Sequence, residues 1–230
     1  MAILLLAALL FAASDYERAV ALIESGDPAA AAPLLEKAMR EEPGNGLYAK
    51  ALGVVYASLG DYRSAAPQFE KACAANPPLE DACYFAGRAR YAADQYREAI
   101  PLLERALKND SRKVRSDWGV AQCLDALGRY EEAETRFRAA LRRDEPRAEA
   151  QLAYGKFLTR QGRAEEAAPL LEHAQSLHTV EARFELALAL VQAGRAREAV
   201  AHLEAITAAR PDHEAARVLL GRAKRLAAAP

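Results

Sequence analysis

Four histidines, three cysteines and 32 Asp and Glu side chains are the groups in this chain that could turn over a substrate or hold a metal. Their spacing points to neither. His173 and His178 are five apart, which does not suit one helical face, and His202 and His213 are more distant still. The carboxylates are scattered beside Arg and Lys, the arrangement of solvated pairs that contribute little each. Gly155-Lys156 has no glycine-rich lead that would make it a phosphate loop, and GxGxxG, GxSxG and HExxH are all missing. The sequence therefore predicts no catalytic centre, no cofactor and no metal site. Cys73, Cys83 and Cys123 leave two readings open: a disulfide between the first two, or three small buried apolar side chains.

The other expressive side chains are aromatics and cations, which recognise rather than transform. Tyr and Trp beside Arg are the types that dominate contact hot spots. Arg also takes a carboxylate or phosphate at two points. What must be known is which elements carry them.

The chain has 230 residues, 31 Lys and Arg against 32 Asp and Glu, and 52% hydrophobic residues. That supplies a core and excludes wholesale disorder. A net charge of −1 argues against nucleic acid as a partner, since that needs a concentrated basic surface. Abundant Ala and Arg with only 12 Gly predict a mostly helical chain.

Residues 1–13 are apolar without a break, and charge begins at Asp15. The stretch resembles the apolar part of an export signal, but lacks its basic start. It reads either as a leader or anchor, giving a route to membrane association, or as a buried helix cap. No cysteine nearby could accept a lipid. Export to the periplasm or envelope is the expected fate, rather than retention in the cytoplasm. Ser14 and Glu17 have the spacing of a capping box, so a helix should start there.

Internal repetition is the strongest signal. Gly26, Gly60, Asp94, Gly128, Gly162 and Gly194 recur at intervals of 34, with 32 for the last. Seven residues before each stand Ala19, Gly53, Gly87, Ala121, Gly155 and Ala187. Five after each stands an alanine, and nine after stand Leu35, Phe69, Leu103, Phe137, Leu171 and Leu203. Each unit reads as helix, turn, helix and polar break. Gly or Asp tolerates the positive φ that ends a helix. Small residues let helices approach, and the bulky ones are expected to fill the space between neighbouring hairpins. Pro33, Pro67, Pro101 and Pro169 fall inside second helices and should bend them. Pro43, Pro77, Pro146 and Pro211 should close those helices.

This pattern resembles the tetratricopeptide repeat family. Period, turn, small-residue registers, Tyr62, Tyr96 and Tyr130 after the turn, and the closing prolines all agree. The resemblance implies an all-α solenoid, a right-handed superhelix of six repeats: 12–45, 46–79, 80–113, 114–147, 148–179 and 180–213. Residues 214–230 would form a capping helix. The fifth unit is two residues short around Ser176–Thr179, where the stack should be perturbed.

In that family the first helix of each hairpin lines a concave groove. Residues ten, six, three and thirteen before each turn should then face a partner. At the groove's centre this gives Lys50, Tyr84, Arg88, Tyr91, Arg115, Trp118, Gln122 and Lys156. Thr159 and Val191 are also expected there. The natural ligand is a protein segment, extended or helical. The family's carboxylate clamp for chaperone tails is missing, because Val54, Phe85 and Gly119 occupy its places. The sequence thus predicts a non-catalytic interaction scaffold, of use in bacterial envelope assembly. The alternatives are a glycan- or cell-wall-associated accessory and a non-catalytic subunit of an enzyme complex.

Overall fold

A computed structural model describes residues 14–75, 79, 81–109, 113–142 and 147–229. The apolar segment 1–13, Pro77, Pro146 and the side chain of Arg115 lie outside the described residues. The chain divides into two compact units, 1–127 and 128–230. The first holds α1 (Asp15–Glu24), α2 (Pro28–Glu41), α3 (Gly46–Ser58), α4 (Tyr62–Ala74), α5 (Ala82–Ala92), α6 (Tyr96–Asn109) and α7 (Lys113–Ala126). The second holds α8 (Tyr130–Leu141), α9 (Ala148–Arg160), α10 (Ala164–His173), α11 (Val180–Gln192), α12 (Ala196–Ala209) and α13 (Glu214–Ala228). A 3₁₀ turn at Ala174–Leu177 follows α10. No strand occurs among the described residues. Inside each unit every helix packs on its chain neighbours, and first helices of successive hairpins also touch. The architecture is all-α, of the helical-hairpin solenoid class.

The turns explain why the helices stop where they do. All six period-marking residues have positive φ, from 61° at Asp94 to 86° at Gly26. The next amide then reaches back five residues: Asp61 to the Tyr56 carbonyl at 2.9 Å, Gln95 to Arg90 at 2.8 Å and Arg195 to Leu190 at 2.8 Å. This closure satisfies carbonyls the helix end leaves open. Asp94 bears a Cβ in the left-handed region, and its carboxylate accepts the Tyr96 hydroxyl at 2.6 Å. At the other ends, Asp27 and Asp61 accept from the amides of Ala30 and Ser64. The expected box at the first helix forms reciprocally: Glu17 N–H donates to Ser14 Oγ at 3.2 Å, and Ser14 N–H to Glu17 Oε2 at 2.7 Å.

The small and bulky registers meet inside the hairpin. A Cβ built on Gly53 would lie 2.8 Å from the Phe69 ring. One on Gly87 would lie 2.6 Å from Leu103 Cγ, and one on Gly155 2.5 Å from Leu171 Cγ. In these three hairpins the bulky residue of the second helix thus fills a notch on its own first helix, rather than only the space between hairpins. Leu103 does both, since a Cβ on the following helix at Gly119 would be 3.1 Å away. Leu35, Leu103, Leu171 and Leu203 are wholly buried.

Helices α2, α4, α6 and α10 run unbroken through Pro33, Pro67, Pro101 and Pro169. The carbonyls these prolines leave without a donor belong to Ala29, Arg63, Arg97 and Glu165, all exposed residues. Water can supply the missing bond, so the prolines are tolerated. The short fifth repeat behaves as expected: the 3₁₀ turn and His178, at φ 52°, absorb the deficit before α11.

Cys73 and Cys83 form a disulfide, with Cα atoms 4.7 Å apart, which decides between the two readings. It ties the end of α4 to the start of α5, and Arg105 Nη2 donates to the Cys73 carbonyl at 3.1 Å. Cys123 is a buried free thiol. Burial pushes it up to about 12, leaving it inert.

Two measurements probe this packing. Gly155→Ala gains about 1 kcal/mol of helix propensity but overpacks Leu171 at a cost of about 1–3 kcal/mol. The melting temperature should fall, and a rise would contradict the notch. Closing a loop of ten residues is worth about 2–3 kcal/mol on chain-entropy grounds. Cys73→Ser with Cys83→Ser should lower the urea midpoint accordingly, and an unchanged midpoint would remove the disulfide from the fold's supports.

Candidate functional site

In the first unit the candidate residues lie on the first helices α3, α5 and α7. Helical spacing sets Tyr84, Arg88 and Tyr91 on one face of α5, and Trp118 and Gln122 on the matching face of α7. Arg88 Nη1 donates to Gln122 Oε1 at 3.2 Å, joining equivalent positions of successive repeats. The Arg88 guanidinium also stands 5.4 Å from the Tyr91 ring centre. Lys50 Nζ lies 6.0 Å from the centre of the Phe85 ring. Lys50, Arg88, Tyr91 and Gln122 are half-buried, so they are held by the fold and still reach solvent.

Tyr84 and Trp118 sit deeper, at 7% and 8% exposure. Their rings pack in the body of the unit, with the Tyr84 ring 5.6 Å from that of Phe85. Trp118 Nε1 is buried with no hydrogen-bond partner. A buried donor left unmade costs roughly 1–3 kcal/mol. On the surface beside it, the Gln122 amide nitrogen and the Arg88 guanidinium supply donors. That arrangement suits carbonyls or a carboxylate.

In the second unit Lys156 lies half-buried on α9. Its Nζ is 2.5 Å from Glu181 Oε1 and 3.8 Å from Glu185 Oε1 on α11. Burial holds the Glu185 carboxyl above the usual range, against the pull of Lys156. Lys156 is therefore already neutralised, and it does not extend the donor set of the first unit. Thr159 and Val191, expected in the groove, are instead buried at 3% and 4% exposure. Thr159 spends its hydroxyl on the Gly155 carbonyl at 2.8 Å, as a helix-interior threonine can.

Sequence reasoning missed three features. Phe85 carries the contact beneath Lys50, although an aromatic so close to Tyr84 was visible in the repeat. Glu185 is shifted by burial, which no spacing reveals. An apolar cavity of about 480 Å³ is lined by Phe184, Leu188, Ala215, Val218 and Leu219, with Glu214 and Arg222 at its rim. Phe184 and Leu188 stand ten and six before their turn, in the groove registers, and Val218 and Arg222 repeat them 34 residues on. The spacing thus names the residues but not the cavity they enclose.

A sequence model described as tetratricopeptide repeat matches residues 16–80 and 124–178, and a second of the same description matches 158–224. A model described as anaphase-promoting complex, cyclosome, subunit 3, matches 58–140. No curated protein matches the sequence. Among solved structures, PilW, described as a widely conserved type IV pilus biogenesis factor, superposes with a TM-score of 0.75 at 16% identity, covering 90% of this chain and 96% of PilW. PilF of Pseudomonas aeruginosa superposes at 0.72 with 15% identity and the same 90% and 96% coverage. YrrB, described as a TPR protein with an unusual peptide-binding site, gives 0.55 at 20% identity over 83% of this chain and 97% of YrrB. At these identities the likeness is one of fold. The repeat period, the turn geometry and sequence matches over more than half its length together make this chain a member of the tetratricopeptide repeat family.

Proposed function

We propose that the chain is a non-catalytic scaffold that holds a segment of a partner protein against the first-helix face of residues 14–127. The carrying observation is the donor pair of Arg88 and Gln122, flanked by Tyr91 and by Lys50 over Phe85. Donors without acceptors favour the backbone carbonyls of an extended segment, or a carboxylate carried on it. Half-buried side chains held by neighbours lose little entropy on binding. The apolar cavity at Phe184, Leu188 and Val218 supplies a second anchorage in the other unit, suited to an aliphatic side chain.

The place of action is the bacterial envelope. Three observations support this: the apolar run at residues 1–13, the Cys73–Cys83 disulfide, and the resemblance of fold to a pilus biogenesis factor. Disulfides persist outside the reducing cytosol. The peptide-binding site ascribed to YrrB supports a peptide ligand for this fold.

Crosslinking capture from envelope extracts of the source cell tests the proposal, using the intact protein and an Arg88→Glu variant. Reversing a hot-spot charge should weaken capture at least about tenfold while leaving the melting curve in place. A partner held equally by both proteins would move the site away from this face.

A further inference from the structure

Six residues before each turn of the first unit stand Val20, Val54, Arg88 and Gln122, on α1, α3, α5 and α7. The row changes character halfway. Val54 is 41% exposed, and Leu47, seven residues earlier on α3, is 51% exposed. Seven residues are close to two helical turns, so the two share a face. Helices α2 and α4 both pack on α3, so that exposure does not come from the end of the chain. The next position in the row is a cation. Among the described residues no carboxylate pairs with Arg88; its contacts are Gln122 Oε1 at 3.2 Å and the Tyr91 ring. Arg90 and Arg163, equally half-buried, are instead paired across helices with Glu70 at 2.6 Å and Glu134 at 2.8 Å.

We propose that this row reads a polyproline II segment of a partner protein, with an aliphatic side chain over Leu47 and Val54 and an Asp or Glu three residues away over Arg88. The inference rests on the reading that a partner segment lies on this face, and it names the segment's chemistry. Spacing is the first argument. Packed helices lie about 8–10 Å apart, so neighbouring positions of the row are separated by about that distance. A polyproline II chain rises about 3.1 Å per residue with three residues per turn, which returns a side chain to the same side every ~9 Å. A β-strand returns one every ~6.6 Å and falls out of step. A helix spends its carbonyls on itself, whereas polyproline II leaves them open to the donors of Gln122 and Arg88. Charge is the second argument. A carboxylate answers the uncompensated guanidinium at two points. The rings of Phe85 and Tyr91, half-buried beside Lys50 and Arg88, are the third, because aromatic-lined grooves take proline-rich segments.

The probes are two fluorescein-labelled peptides, Pro-Pro-Leu-Pro-Pro-Glu-Pro-Pro and its reversed order, both amidated so that the only carboxylate is the side chain. With the intact protein, one order should give a saturable rise in anisotropy that declines with salt. Moving the Glu one residue further from the Leu, or replacing it with Lys, should weaken binding at least about tenfold. Val54→Glu, at an exposed position, should keep the melting curve and cost a similar factor. Arg88→Glu should reverse the preference, so that the Lys peptide binds more tightly than the Glu peptide. Failure of both orders to bind, equal binding of the displaced Glu, or a preference unchanged by Arg88→Glu would overturn the proposal. Should the peptides fail while Arg88→Glu still abolishes partner capture, the scaffold reading stands and this segment chemistry falls. Capture unaffected by Arg88→Glu would remove both.

Discussion

The contact on which the rest depends is a bulky side chain seated over a residue with almost no side chain. Phe69 on Gly53, Leu103 on Gly87 and Leu171 on Gly155 set the distance between the two helices of a hairpin. Neither partner can change alone. Enlarging the small one collides with a fixed neighbour, and trimming the large one opens a cavity. Once the hairpin is fixed, each first helix offers its remaining faces to the neighbouring hairpin and to solvent. The turn residues, the caps and the prolines are all compatible with this spacing, and none of them could replace it.

That constraint also decides which side chains are held firmly and still reach solvent. A first helix spends one stripe on its own partner and another on the preceding hairpin. What is left over, at positions such as Lys50, Arg88 and Gln122, is held in place from both sides while staying in reach of solvent. Such positions combine rigidity with access, which a loop does not offer. Arg88 illustrates this: Gln122 fixes it from the next repeat and Tyr91 from its own helix, leaving donors to spare. Lys156 shows the other outcome. Glu181 and Glu185 neutralise it, so the same register carries free donors in one unit and a satisfied ion pair in the other.

Much of the fold could be read in the sequence because it repeats. The period located every turn, and positive φ at Asp94 follows from its standing where five other units have Gly. The two-residue deficit before Thr179 announced a local disturbance, which takes the form of a 3₁₀ turn. The site was less legible. Arg88, Tyr91 and Gln122 stand half-buried on first helices, as their register allows, but depth depends on neighbours that the register does not specify. Trp118, Tyr84, Thr159 and Val191 all sank into the units, at 8%, 7%, 3% and 4% exposure. The pairing of Cys73 with Cys83 needed the helix ends to be brought within reach, which ten residues of separation alone do not dictate.

If seating over the small register is what stabilises each hairpin, local stability should follow notch occupancy along the chain. Hydrogen–deuterium exchange of the intact protein, read peptide by peptide, measures this directly. The amides of α3, α5, α9 and α11 should exchange slowly. Those of α13, where a Cβ built on Gly221 would meet only Arg225 Nη1 at 3.7 Å, should exchange fastest among the first helices of the second unit. Protection of α13 equal to that of α11 would contradict the account, because an empty notch would then carry no cost.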